Sequence, residues 1–184
     1  MYNTTGNLAH KASVPYASKV VIAQALAGMG ARAVTITSVA RTKPADSRAI
    51  YKSVTGTQSQ SGQTPTNHEW FLASRTLRQH AALLLIMYAM YREKYDGDHD
   101  AHGLAFTLAY HNYLLVCMGD APISPERMVL LITNGFSIGW REITKGGVSK
   151  FPQDNVKVMK CRGCGIAHLA EAHFIRYKCT SCET

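Results

Sequence analysis

Two Cys-x-x-Cys pairs near the end of the chain constrain its fold more than any other feature. Cys161-Arg162-Gly163-Cys164 is followed, after fourteen intervening residues, by Cys179-Thr180-Ser181-Cys182. Each pair sets two thiolates on one tight turn, whose backbone N–H groups can point at the sulfurs. Two such turns supply the four soft ligands of a tetrahedral zinc site. Gly165 eases the chain's reversal after the first turn, and the stretch between the pairs is long enough to cross back as a hairpin arm. One structural Zn²⁺ held by Cys161, Cys164, Cys179 and Cys182 is therefore expected, in a small zinc-ribbon-like module over residues 146–184. A redox dithiol needs only one such pair inside a thioredoxin-like unit, and that context is missing. Catalytic zinc keeps a position open for water, whereas four thiolates close the shell. His168 and His173 are expected as loop residues or outer donors, and Cys117 as a small apolar packing residue.

With 184 residues, 46% apolar and 17% charged, the chain can bury a core. Its longest apolar run, Ala81 to Tyr91, falls well short of the roughly 20 residues a membrane span needs. The opening Met1 to Gly6 has neither a basic nor an apolar leader region. No membrane association and a bacterial cytoplasmic location are expected. In that reducing compartment, cysteines serve metals or stay free rather than pair. The net charge of +8 is unevenly placed. Residues 1–60 carry seven Lys/Arg against Asp46 alone, the middle of the chain is mildly acidic, and residues 141–184 carry eight cations against four acids. Cations at both ends suggest two surfaces for a polyanion around a neutral centre.

Punctuation along the chain divides it into five parts. Residues 1–17 are polar and broken by Gly6 and Pro15, and read as a flexible arm. Residues 18–56 read as a helix-turn-helix-like DNA-binding segment. Ser18 precedes a short helix that ends at Gly28 and Gly30. Ala31 to Ala40 fits either a helix or a strand, with helix preferred. Arg41-Thr42-Lys43 is a basic turn, and Pro44 opens a helix that stops at Gly56. Residues 57–68 contain a run with no apolar side chain and read as a polar linker. Residues 69–145 read as the helical core and oligomerisation region. There Asn67 caps one long helix through Trp70, Phe71 and Tyr91, a second covers Leu104 to Met118, and Ser124-Pro125-Glu126 opens a third. Val156 to Met159 alternates like a strand leading into the cysteines.

On a helical wheel of Pro44 to Gly56, Ala49, Ile50 and Val54 fall on one side. Ser47, Arg48, Tyr51, Lys52 and Thr55 share the other, a set resembling a recognition helix: cations, a hydroxyl and an aromatic edge. Arg41 and Lys43 in the preceding turn are placed for backbone phosphates. Near the cysteines, Arg162, Arg176 and Lys178 are further candidates for DNA contact. Their competing role, shared with Lys160, is to balance the negative charge of a four-thiolate zinc centre. No phosphate-cradling glycine loop, Gly-x-Ser-x-Gly, His-Glu-x-x-His or carboxylate pair is present, so an enzyme is not expected.

Taken together, these residues resemble the FlhC family of flagellar master-regulator subunits and related activators of conjugative elements. The likeness rests on Gly30-Ala31-Arg32, the Arg48, Tyr51-Lys52 and Gly56 helix, the polar loop to Trp70-Phe71, and the four terminal cysteines. It implies a mainly α-helical subunit with a four-cysteine zinc module. It further implies a DNA-binding transcription activator that joins a smaller helical FlhD-like partner, binds double-stranded promoter DNA as a hetero-oligomer and helps recruit RNA polymerase. The alternative class is a zinc-ribbon module that binds RNA or acts as a scaffold without promoter specificity.

Overall fold

The computed structural model describes residues 6–118, 120–137, 149–150 and 155–183. Among them lie six α-helices: α1 (Gly6–Gly28), α2 (Ala33–Ala40), α3 (Pro44–Thr55), α4 (Arg75–Lys94), α5 (Ala101–Cys117) and α6 (Pro125–Ser137). A 3-10 turn occupies Glu69–Leu72. Strands β1 (Ser149–Lys150), β2 (Val156–Lys160) and β3 (Ala167–Glu171) form one antiparallel sheet in that order. The chain is thus mainly α, as expected, with a small C-terminal sheet.

Several helix boundaries follow the sequence signals. Gly56 closes α3 with φ 75°, and its N–H bonds the Lys52 carbonyl at 2.9 Å. Ser124 accepts a hydrogen bond from the Arg127 N–H at 3.3 Å, capping α6. The ambiguous segment before Arg41 becomes helix α2, because Ala33, Thr35, Ile36, Val39 and Ala40 are all buried at helical spacing.

Three boundaries differ. The arm read over residues 1–17 is helical from Gly6, with residues 1–5 outside the described part. Leu8, Ala9, Lys11 and Ala12 are good helix formers despite the polar surroundings, and Pro15 removes only one backbone bond. Ser18 is therefore inside α1, where its hydroxyl donates to Asp100 just before α5. The single helix from Asn67 breaks in two: Asn67 accepts from the Glu69 N–H of the 3-10 turn, and Ser74 caps α4 by accepting from Leu77 at 3.1 Å. The polar stretch 57–68 is bound to the helices. Ser59 accepts from the Ala33 N–H at the head of α2 at 2.9 Å, and the Arg32 guanidinium donates to the carbonyls of Gly62 and Gln63. A segment without apolar side chains reads as free linker, yet its hydroxyls and carbonyls satisfy polar groups of α2.

Ile22, Leu26, Ile36, Phe71, Leu84, Leu85, Tyr88, Phe106, Tyr113 and Leu131 build the core. Val156, Val158, Ala167 and Leu169 of β2 and β3 belong to the same core, and β3 packs on α4. Each such aliphatic side chain contributes about 1.5–3 kcal/mol when removed from water. Arg78 of α4 clamps Glu171 of β3 through two hydrogen bonds of 2.6 and 3.2 Å. The sheet is therefore an integral layer of the fold; the boundary read at residues 145 and 146 falls outside the described residues. No helix among the described residues is long and apolar enough to cross a membrane.

Candidate functional site

Alternation along β2 sends Val156 and Val158 into the helical core and Met159 to the opposite face. Cys161, one residue past the strand, follows Met159 onto that second face. There Met159, Cys161, Ala170, Tyr177 and Cys179 form a separate buried cluster, with Phe174 and Cys182 packed against it.

The four cysteine sulfurs all lie within 4.8 Å of one another, and Cys164 Sγ is 3.9 Å from Cys179 Sγ. Metal–sulfur bonds of about 2.3 Å in a tetrahedron place sulfurs at this kind of separation, so the donor set fits one soft, four-coordinate cation. Local hydrogen bonds shape the two turns. Gly165 donates to the Cys161 carbonyl at 2.9 Å, and Cys182 donates to the Cys179 carbonyl at 2.8 Å. The N–H groups of Gly163 and Cys179 point at Cys161 Sγ, at 3.3 and 3.2 Å. Arg162 N–H to the Tyr177 carbonyl, at 2.9 Å, ties one turn to the other. Gly163 has no substitute: a Cβ there would sit 2.7 Å from Cys182 Cβ and 2.8 Å from its sulfur.

Electrostatics separate the four thiols. Burial works against ionising Cys161, but the backbone N–H groups of Cys164, Cys179 and Gly163 outweigh it and bring its pKa to about 6. At Cys182 a side-chain hydrogen bond with Cys179, then burial, push the pKa up to about 12. Neighbouring thiolates repel, so only a bound cation lets all four ionise together. His168 is buried on β3 opposite Met159, with Nε2 4.0 Å from Cys164 Sγ, and burial lowers its pKa. It stands beside the sulfur cluster as an outer neighbour, while His173 stacks on Phe174. Cys117 packs half-buried on the main core, 3.6 Å from His80 Nδ1.

A family model described as a flagellar transcriptional activator, FlhC, matches residues 8–184, nearly the whole chain. The chain belongs to the FlhC family. No curated protein matches it in sequence.

In this FlhC-family chain, α2, the three-residue turn Arg41-Thr42-Lys43 and α3 form a helix-turn-helix. Arg41, Lys43, Arg48 and Lys52 are exposed, as are Arg162, Arg176 and Lys178 near the sulfur cluster. Among the described residues none of these seven is in a salt bridge; those ion pairs join Arg32 to Glu126, Arg78 to Glu171 and His99 to Asp100. Ser47 does not belong with them: it is fully buried and cannot reach DNA. Its hydroxyl lies 2.7 Å from both the Thr37 and the Thr42 hydroxyls and 3.2 Å from the Lys43 carbonyl. The wheel had the wrong inner face. Ser47, Ile50 and Tyr51 turn inward, whereas Ala49 and Val54 are exposed, because α2 meets α3 through hydroxyls. Tyr51 is half-buried against the core, leaving only part of its ring accessible. Sequence reasoning missed Gly163 as a requirement of the sulfur cluster; its place inside the first Cys-x-x-Cys was the available signal.

Proposed function

We propose that this chain is the DNA-binding subunit of a bacterial cytoplasmic transcription activator, working on promoter DNA together with an FlhD-like helical partner and helping to recruit RNA polymerase. The observation that carries the reading is the pair Arg48 and Lys52, one helical turn apart, exposed and without an ion pair among the described residues on the second helix of a helix-turn-helix. Membership of an activator family supports it. Arg48, Lys52 and the exposed edge of Tyr51 read the major groove, while Arg41 and Lys43 hold phosphates beside it. Arg162, Arg176 and Lys178 form a second phosphate-contacting area. The resident metal is Zn²⁺, which suits four thiolates with no open position. When bound, it cross-links the two turns and neutralises their thiolates. Cys161, Cys164, Cys179 and Cys182 hold it, and their backbone N–H donors orient the sulfurs.

Electrophoretic shifts of a promoter fragment and of a shuffled fragment, across a salt series, test the reading. The promoter should bind more tightly, and its affinity should fall steeply with salt. The double variant Arg48→Ala, Lys52→Ala should flatten the slope of log K against log salt by about 1.8 while keeping its zinc. An unchanged slope removes α3 from the DNA. Equal retention of promoter and shuffled DNA favours a scaffold or RNA-binding module instead.

A further inference from the structure

Helix α5 is apolar on two opposite faces. Ala101, Ala105, Phe106, Ala109, Tyr110 and Tyr113 are buried in the core. On the other side, Leu104, Leu108, His111, Leu115 and Met118 follow one another at steps of four and three residues. Leu104 and Leu108 are half-buried, His111 is exposed, Leu115 is 62% exposed and Met118 92%. Met118 also holds the left-handed backbone conformation at the end of α5, φ 46°, where a glycine would be strain-free. A large apolar side chain kept at such a position and turned to solvent is costly for a free subunit.

We propose that this outer seam of α5 is the docking surface for a helix of an acidic partner subunit. The inference rests on the hetero-oligomer reading of the function and adds where the partner sits. The alternating four-and-three spacing is that of a coiled-coil seam, so its occupant is a helix whose side chains fit between Leu104, Leu108 and Leu115. His111, the one polar side chain in the seam, limits the register. No Asp, Glu, Lys or Arg lies anywhere on α5, which excludes DNA from this face. A second copy of the chain fits poorly. Each copy carries +8, and five side chains a side fall far short of the about 20–30 residues a side of a stable interface. A partner of negative net charge is drawn to this cationic chain and makes up the missing area with further contacts.

The test uses the full-length, zinc-loaded chain co-expressed with the FlhD-like subunit of its own host, read by light scattering and by surface-resonance kinetics. Leu115→Glu and Met118→Asp alter exposed side chains; circular dichroism and zinc content should match the parent. Each should weaken the complex at least tenfold, and the pair at least a hundredfold, whereas Arg48→Ala leaves it unchanged. The parent's association rate should fall with added salt. A complex of normal affinity in both seam variants overturns the seam alone. Parent chain that dimerises without the partner, and loses that dimer with Leu115→Glu, assigns the seam to a second copy and overturns the proposal. Failure of the parent pair to associate at all overturns the hetero-oligomer reading together with it.

Discussion

Arg41 ends α2 in the left-handed region, φ 54°, at the bend of the helix-turn-helix. A residue with a Cβ pays roughly 1–2 kcal/mol there relative to ordinary backbone. Arg41→Gly relieves that strain but frees the unfolded chain, so thermal stability should stay equal or rise by up to about 1 kcal/mol. Promoter affinity should fall nonetheless, by loss of one phosphate contact. Unchanged affinity with raised stability would show that the guanidinium serves no DNA. Ser47 behaves in the opposite way. Ser47→Ala leaves Thr37 and Thr42 short of a buried partner and should cost about 1–3 kcal/mol in urea unfolding, with no change in DNA affinity of the folded protein. A DNA defect at full stability would return Ser47 to the interface. The four metal-ligating candidates were legible as residues because Cys-x-x-Cys spacing is local geometry. Ser47 was not, because its burial depends on hydroxyls that α2 and the turn bring to it.

At the scale of elements, α5 carries a pH response. His102 lies against Tyr88, with Nδ1 2.8 Å from the phenol oxygen. Burial, then the charges of Arg41 and Arg92, lower its pKa to about 4, against about 6.5 in an unfolded chain. Between these values the unfolded state binds more protons, so stability falls as pH drops from 6.5 toward 4, by up to about 3 kcal/mol, and the contribution is complete above 6.5. Denaturant midpoints at pH 7, 5.5 and 4.5 should decline more steeply for the parent than for His102→Gln; parallel declines would discount His102. Helices α3 and α6 were legible from their caps, Gly56 and Ser124, which are short-range signals. The break between Asn67 and Ser74 was not, since the periodicity of Trp70 and Phe71 resembles continuous helix until Phe71 is drawn into the core from a 3-10 turn.

Across the whole molecule, the sulfur cluster and the helical core are the two faces of one sheet. Val158 and Leu169 lie in the core, while Met159 and Ala170 face the cysteines. Stripping the metal with a chelator should therefore lower the melting temperature of the entire chain by about 4–8 °C, a loss of roughly 2 kcal/mol. Hydrogen exchange should accelerate in β2, β3 and the turns of α4 around Arg78. Full protection of α4 while the sheet opens would separate the two layers. Sequence alone determined the four-sulfur cluster, the mainly helical class and the excess of cations at both ends, because spacing, periodicity and charge are properties of neighbouring residues. Only the tertiary structure decided which face of α3 points outward, that the polar stretch after Gly56 lies against α2, and that the metal-binding end shares the main core. Each of these depends on which distant groups meet, and burial is fixed by the partner as much as by the residue.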